Sequence, residues 1–218
     1  RPERWVAVTG TNGKTTTTGL LADALGTDGR EVVCNRAGNN MESGIAAALV
    51  LAKAGEKDDG RAGCFECDEL YTVRVLPALR PNALVLLNLF RDQLDRYGEI
   101  DHTQDVIAEA LRRSPETTLV FNADDPLCAA IADRVGNTGL GFGIDEPTDL
   151  EADRISDSRF CARCNTGLEY EYVHYGQLGR YRCPAFGWER PALAFAAVNL
   201  RLTCGGFEFD VEDRRGAE

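Results

Sequence analysis

Short apolar runs alternate with amphipathic segments along the first two thirds of the chain. Each run is rich in β-branched residues, and each following segment has apolar residues at helical spacing. The predicted strands are 5–8, 31–34, 62–65, 83–88, 118–121 and 140–143, and the predicted helices are 19–25, 44–54, 70–79, 103–113 and 126–135. This alternation predicts an α/β fold with a doubly wound, mostly parallel sheet.

The pattern changes at about residue 151, after which short strands follow one another with turns between them. These strands are predicted at 168–173, 179–183, 193–203 and 206–211. They favour an antiparallel extension of the sheet that contains a small inserted module. We therefore expect three segments, which are a main domain over 1–156, an insertion over 157–190, and the final strands of the main domain over 191–218.

Composition excludes several classes of protein. A net charge of −11 disfavours nonspecific binding to nucleic acid or to anionic membranes. No apolar run approaches the roughly 20 residues that span a bilayer, so we expect no transmembrane segment. At 218 residues the chain can bury a core without disulfides, and its eight cysteines suggest thiols and metal ligation first.

The segment between the first strand and the first helix is rich in glycine and threonine and carries a lysine. It consists of Gly10, Thr11, Asn12, Gly13, Lys14, Thr15 and Thr16. A loop between a strand and a helix directs backbone N–H groups and a helix N-terminus at an anion. Lys14 adds positive charge, and Thr15 can reach a phosphate-bound Mg²⁺. The loop therefore predicts a triphosphate site, although Val8 stands where the usual motif has its first glycine.

Polar residues follow three further predicted strands. Glu66 comes directly after 62–65, where it can hold Mg²⁺ opposite Thr15, with Asp68 or Glu69 acting through water. The alternative is a solvated acidic turn. The segments 88–98 and 122–126 follow the next two strands, and each also fits a capped helix start.

Three cysteines in the insertion have the spacing of a zinc ribbon. Cys161, Cys164 and Cys183 match three of four expected thiols, and Phe186 occupies the fourth position. Zn²⁺ is possible if His174, water or a partner residue completes the site. Otherwise, packing against the main domain holds the module. We expect Cys64 and Cys67 to be core residues and Cys34, Cys128 and Cys204 to be buried.

The run Thr-Gly-Thr-Asn-Gly-Lys-Thr-Thr resembles the ATP loop of the Mur ligase family. Together with Glu66-Cys67-Asp68-Glu69, the segments 88–98 and 122–126 and the ribbon, it is similar to the lipid II isoglutaminyl synthase branch of that family. The resemblance implies ATP-dependent amidation of the D-glutamate α-carboxylate of lipid II through an acyl phosphate. Ammonia then comes from a glutaminase partner of the GatD type, in the bacterial cytoplasm at the inner face of the membrane.

The resemblance also implies roles for individual residues. Lys14 and Mg²⁺ stabilise the transferring phosphoryl group, Thr15 and Glu66 hold the metal, and Asn122 and Asp125 serve the nucleotide. The sequence departs from the family at Gln93, where most members have a histidine for a second metal. No lysine follows Lys57, so the family's often carbamylated lysine is also missing.

The chain begins at Arg1, and the resemblance implies a central ATPase domain without the family's C-terminal domain. We expect such a fragment to bind ATP weakly and to turn over little. Two alternatives stay open. One is an amino-acid-adding Mur ligase or a ligase like folylpolyglutamate synthase, for which the ribbon is unexpected. The other is a non-catalytic nucleotide- or zinc-binding module, and the incomplete thiol set disfavours the zinc-binding form of it.

Overall fold

The computed structural model describes residues 4–35, 39–52, 61–90, 99–147 and 160–216. The chain divides into two compact units, Arg1–Val120 with Arg134–Gly139, and Phe121–Asp133 with Leu140–Glu218. The segment boundaries expected at 156 and 190 both fall inside the second unit and remain a prediction.

The first unit is a parallel sheet with helices. Its elements are β1 (Trp5–Thr9), α1 (Lys14–Leu25), β2 (Val32–Cys34), α2 (Glu42–Leu51), β3 (Ala62–Glu66), a 3₁₀ helix (Glu69–Tyr71), α3 (Thr72–Leu79), β4 (Ala83–Leu86) and α4 (Glu99–Arg112). β1 pairs in parallel with β3 and β4, and β3 pairs in parallel with β2. The order β4-β1-β3-β2 places the carboxyl ends of β3 and β4 on either side of the end of β1.

Helices cover both faces of this sheet because neighbouring strand residues point to opposite sides. Cys64 packs with Ala22 of α1 in one core cluster. Phe65, the next residue, packs with Ile45 of α2 and Val75 of α3 in another. The predicted doubly wound arrangement is therefore confirmed.

The second unit contains the late strands. β5 (Thr118–Asn122) runs from the first unit into the second, and α5 (Pro126–Ala132), β6 (Gly139–Ile144), β7 (Glu169–Tyr175), β8 (Leu178–Arg182), β9 (Phe195–Thr203) and β10 (Gly206–Asp213) follow. β6 pairs in parallel with β9, which pairs antiparallel with β10. β7 and β8 form a separate antiparallel hairpin. The antiparallel extension is thus confirmed.

Four predicted helices differ at their starts, since α1 begins at Lys14 rather than at 19 and α2 at Glu42 rather than at 44. The helix predicted at 70–79 begins as a 3₁₀ turn, because the Asp68 carboxylate accepts a hydrogen bond from Leu70 N at 3.0 Å and closes a tighter turn. α4 begins at Glu99, four residues before the predicted start.

A buried charge network ties the loop after β8 to the end of β5. Arg190 donates to Asp124 at 2.9 Å and to Asp145 at 2.5 Å, and both Arg190 and Asp124 are at least 90% buried. Asp124 also accepts from Ile144 N at 2.8 Å. Burial raises the pKa of the Asp124 carboxyl, while its hydrogen bonds with Ile144 and Arg190 oppose that effect. Arg190 therefore compensates a carboxylate that would otherwise be buried alone.

The cysteine predictions are partly wrong. Cys64, Cys67 and Cys128 are buried, as expected. Burial raises the pKa of Cys64 to about 12 and raises that of Cys67 further, which keeps both as thiols in the core. Cys34 is only partly buried, however, and Cys204 is exposed because it lies in the turn between β9 and β10. Among the described residues, no helix combines the length and apolar character needed to cross a membrane.

Candidate functional site

The glycine loop after β1 is fastened to the segment after β4. Gly10 has φ 132°, and a Cβ there would lie 2.9 Å from the carbonyl oxygen of Asn88. Thr11 N donates to Asn88 O at 2.9 Å. The Asn88 side chain accepts from Asn12 N at 2.9 Å and donates to Asn12 O at 3.1 Å. Asn88 therefore sets the shape of the loop, a role that the sequence alone did not assign to it.

The start of α1 is free to face an anion. Gly13 precedes the helix with φ 83°, and the first turn has neither a side-chain cap nor an acidic residue. The first N–H groups of a helix have no partner within the helix. Thr15 and Thr16, in that first turn, are exposed. These N–H groups and hydroxyls fit the phosphate groups of a nucleotide.

Lys14 lies at the centre of the loop. Its ammonium group donates to Gly10 O at 2.6 Å and to Thr11 O at 3.3 Å. It also forms an ion pair with Glu69 at 3.0 Å, in which the two side chains are only 14% and 15% exposed. Burial raises the pKa of the Glu69 carboxyl, and the Lys14 ammonium counteracts this effect. The structure thus brings Glu69 to Lys14, whereas Asp68 caps the 3₁₀ turn.

Thr15 and Glu66 meet as the sequence predicts for a metal site. Thr15 Oγ1 donates to Glu66 Oε2 at 2.9 Å, and Asn40 Nδ2 contacts the other carboxylate oxygen at 3.4 Å. Neighbouring oxygen ligands of an octahedral Mg²⁺ lie about 2.9 Å apart, given Mg–O distances of about 2.0–2.1 Å. This separation is also that of an ordinary hydrogen bond, so the structure places two oxygen donors suited to Mg²⁺ side by side, and their binding of the metal stays a prediction.

Asn35 is a second residue whose role the sequence did not reveal. It is buried, accepts from Glu66 N at 2.9 Å, and donates to Glu66 O at 2.8 Å. Its amide also donates to Asn39 O at 3.0 Å. Asn35 therefore fixes the backbone that presents the Glu66 carboxylate. A polar residue directly after β2, at the carboxyl edge of the sheet, was the available signal.

Asn122 and Asp125 lie in the second unit. Asn122 Oδ1 accepts from Asp124 N at 3.1 Å. Asp125 is fully buried and caps α5 by accepting from Leu127 N at 3.0 Å, directly before Pro126. The capped helix start is thus present, and the role of both residues toward the nucleotide stays a prediction. Residues 91–98, which include Gln93, lie outside the described residues.

Cys161, Cys164 and Cys183 come together as predicted. Their sulfur atoms all lie within 4.8 Å of one another. Hydrogen bonds with Thr166 lower the pKa of the exposed Cys164 thiol to about 7. His174 is not in this group, because its ring packs at a tilt against Tyr172 and its Nε2 lies 3.4 Å from Ile144 O. Among the described residues, the thiols therefore offer three protein ligands to a metal.

The turn at Cys183 keeps the form of a metal-binding turn despite Phe186. Phe186 N donates to Cys183 Sγ at 3.3 Å, and Gly187 N donates to Cys183 O at 3.0 Å. The Phe186 ring is 55% exposed and lies under the Arg163 guanidinium. The module is also held by protein contacts, since Asp133 accepts from both Arg163 and Trp188. Both open explanations, metal ligation and packing, thus have support in the geometry.

A parallel α/β sheet with a lysine-containing glycine loop beside an acidic strand end defines a nucleotide-binding domain. The family model of the Mur ligase middle domain matches residues 8–183. The chain belongs to the Mur ligase family, whose enzymes are ATP-dependent carbon–nitrogen ligases that generally use Mg²⁺.

Two relatives show which members of the Mur ligase family the chain resembles. The chain is 35% identical over 179 residues to the lipid II isoglutaminyl synthase (glutamine-hydrolyzing) subunit MurT of Staphylococcus aureus (strain COL), covering 82% of this chain and 40% of that protein. It is also 35% identical over 195 residues to MurT of Streptococcus pneumoniae (strain ATCC BAA-255 / R6), covering 89% and 43%. The chain therefore spans about two fifths of the length of these relatives.

A solved structure supports the fold alone. UDP-N-acetylmuramoyl-L-alanyl-D-glutamate--2,6-diaminopimelate ligase superposes with a TM-score of 0.63 at 15% identity, covering 99% of this chain and 38% of that one.

The chain is also similar in sequence to a Mur ligase with another name. UDP-N-acetylmuramoylalanine--D-glutamate ligase of Rhizobium meliloti (strain 1021) is 40% identical over 138 residues, or 62% of this chain and 27% of that protein.

Proposed function

We propose that this chain is the nucleotide-binding part of an ATP-dependent ligase that amidates the D-glutamate α-carboxylate of lipid II in peptidoglycan synthesis. The observation that carries the proposal is the Lys14 loop beside the Thr15–Glu66 pair, in a chain 35% identical to MurT over 82% of its length. Mur ligases that add amino acids share the core, so the amidation itself rests on the similarity to MurT.

The site residues support phosphoryl transfer by positioning and charge neutralisation. The loop N–H groups and Lys14 bind and orient the phosphates of ATP. Thr15 and Glu66 hold Mg²⁺, which neutralises phosphate charge when it is bound. A carboxylate oxygen of the substrate attacks the γ-phosphorus, and ADP leaves. Ammonia then attacks the carbonyl carbon of the acyl phosphate, which releases phosphate and a proton and leaves the amide.

We propose that the ammonia comes from a glutaminase subunit of the GatD type. The S. aureus relative is named as a subunit of a glutamine-hydrolyzing synthase. Lipid II carries its peptide on a membrane lipid, so we place the reaction in the bacterial cytoplasm at the inner face of the membrane.

Turnover of lipid II by the full-length protein tests this function. With ATP, glutamine and the glutaminase, mass spectrometry should show one carboxylate of the stem peptide converted to an amide. Lys14→Met should abolish the product, while Lys53→Met removes the same charge outside the loop and should leave it. A product that has gained an amino acid instead would assign the chain to the adding ligases.

We also propose that Cys161, Cys164 and Cys183 bind Zn²⁺ with a fourth ligand that is not a cysteine. The mutual proximity of the three sulfur atoms supports this site. Elemental analysis of the full-length protein should find one zinc per chain, and Cys161→Ser should lose it. A wild-type protein that lacks zinc after purification without chelators would show that packing alone holds the module.

A further inference from the structure

Two tight turns at one end of the β7–β8 hairpin bring the three thiols of the second unit together. Residues 160–167 carry two of the thiols and residues 182–189 carry the third, and each turn is closed by an antiparallel bridge between its end residues. β7 and β8 lie between the turns in the sequence, and Glu169 pairs with Arg182 at their open end. Backbone pairing in the hairpin therefore fixes the two turns beside each other.

The three thiols differ in their access to solvent. Cys161 and Cys183 are each 2% exposed, whereas Cys164 is an exposed residue. Cys164 Sγ lies 3.4 Å from Cys183 Sγ. A disulfide bond is about 2.05 Å long, so these two sulfur atoms need to approach by only about 1.4 Å. Cys164 thus combines access to a dissolved reagent with a partner thiol within reach.

The residue at the fourth position of the ribbon leaves the thiol group incomplete. Four ligands close a structural zinc site, whereas three thiols leave one position open. Phe186 at the fourth position is 55% exposed, and the Arg163 guanidinium of the other turn lies 5.6 Å from its ring centre. The two turns therefore meet here through a ring and a cation instead of a fourth sulfur, and Cys164 lies at the exposed side of the group.

We propose that Cys164 is a site of reversible oxidation, at which a peroxide joins Cys164 and Cys183 in an intramolecular disulfide. The Cys164 sulfur attacks one oxygen of hydrogen peroxide, so that an S–O bond forms, the O–O bond breaks and the other oxygen leaves as water. The Cys183 sulfur then attacks the Cys164 sulfur, so that the S–S bond forms, the S–O bond breaks and a second water leaves. Two thiols thereby lose two electrons and two protons, and the peroxide is reduced to water.

This modification gives the inserted module two forms. The reduced form offers three sulfur ligands to a metal. The oxidised form has lost two of them and has a covalent link between the two turns at the open end of the hairpin. A dithiol reductant restores the first form by thiol–disulfide exchange. The proposal goes beyond the proposed ligase function and does not depend on it.

Disulfide mapping of the full-length protein tests the proposal. The protein is reduced, freed of reductant and treated with hydrogen peroxide, and the remaining thiols are alkylated before digestion and mass spectrometry. Wild type should lose two alkylatable thiols and yield one peptide pair linked through Cys164 and Cys183, and dithiothreitol should return both thiols. Cys204 is also exposed but lies outside the three-thiol group, so Cys204→Ser is the matched control and should keep the link.

Two further variants test which thiol is the partner. Cys183→Ser should lose the linked peptide and leave Cys164 as a sulfenic acid that dimedone labels. Cys161→Ser should keep the link between Cys164 and Cys183. The mapping of wild type identifies the partner even if one of these variants fails to fold.

The outcomes separate this proposal from the proposed function, because the mapping needs neither lipid II nor bound zinc. Free thiols at Cys164 and Cys183 after peroxide treatment, a link from Cys164 to Cys161, or a sulfinic acid at Cys164 beside a free Cys183 would each overturn the proposal. If the link forms but the protein amidates no lipid II, the oxidation site stands and the ligase function is wrong. If amide forms and the link does not, the function stands and the oxidation site is wrong.

Discussion

Replacing Gly10 by alanine tests whether the glycine loop depends on its contact with Asn88. The added Cβ would lie 2.9 Å from Asn88 O, 3.0 Å from Asn88 N and 3.1 Å from Leu87 Cβ. Two of these atoms belong to the backbone, so neither can rotate away. The φ of 132° is also a conformation that a residue with a side chain rarely adopts.

Together, the backbone strain and the close contacts should lower the free energy of unfolding substantially. A residue held in such a sparsely populated backbone region costs on the order of 1–3 kcal/mol. Overpacking against a fixed neighbour costs about 1–3 kcal/mol more. We therefore expect Gly10→Ala to lower the free energy of unfolding by about 2–6 kcal/mol and to abolish binding of an ATP analogue, because the segment around Asn88 has to move.

Gly19→Ala is the matched control. Gly19 lies inside α1, and a Cβ there would meet nothing within 4 Å. Alanine should stabilise this position by about 0.5–1 kcal/mol, since it lowers the entropy of the unfolded chain. Urea unfolding and titration with a fluorescent ATP analogue measure both variants. If Gly10→Ala matched wild type in stability and in nucleotide binding, the argument from the Asn88 contact would be refuted.

Three further changes probe the site and its support. Asn35→Asp keeps the acceptor for Glu66 N but places a carboxylate against Glu66 O. It should therefore lower the free energy of unfolding in urea by about 1–3 kcal/mol and weaken Mg²⁺-dependent nucleotide binding. An unchanged Mg²⁺ dependence would contradict this role. Arg190→Met should lower the free energy of unfolding by about 3–5 kcal/mol because it leaves the buried Asp124 carboxylate without its charged partner. Adding Asp124→Asn should recover part of that loss. If the double variant were no more stable than the single one, the charge explanation would fail. Burial raises the pKa of Glu69 above its ordinary value of 4.5, so folding favours the protonated form and stability falls as pH rises from that value toward the raised one. Glu69→Gln should remove this fall in stability when the unfolding free energies of wild type and variant are compared from roughly pH 4 to 8. A difference between the two proteins that stays constant with pH would contradict this expectation.

Much of the fold was readable because it depends on local periodicity. Strand and helix patterns of period 2 and 3.6 gave the order of elements and the parallel sheet, and the errors lie at element boundaries, such as the start of α4 at Glu99 and the end of α5 at Ala132. The burial of Cys204 was predicted wrongly, because a sequence pattern does not show that a turn faces solvent.

For the candidate site too, some features were predictable from the sequence and others were not. The sequence by itself determined the glycine loop, the acidic strand end at Glu66 and the three thiols, because each is a local pattern with its own chemistry. The proximity of Thr15 to Glu66 also followed from the rule that the ends of parallel strands share an edge.

Only the tertiary structure decided that Asn88 shapes the loop, that Asn35 holds the backbone of Glu66, and that Glu69 pairs with Lys14. These contacts join residues 76, 31 and 55 positions apart, so no local pattern encodes them. They depend on the register of neighbouring strands and on the exact path of the loops that follow. In a parallel sheet, neighbouring strands are joined by long crossover connections, so the residues that face each other at the strand ends are far apart in the sequence.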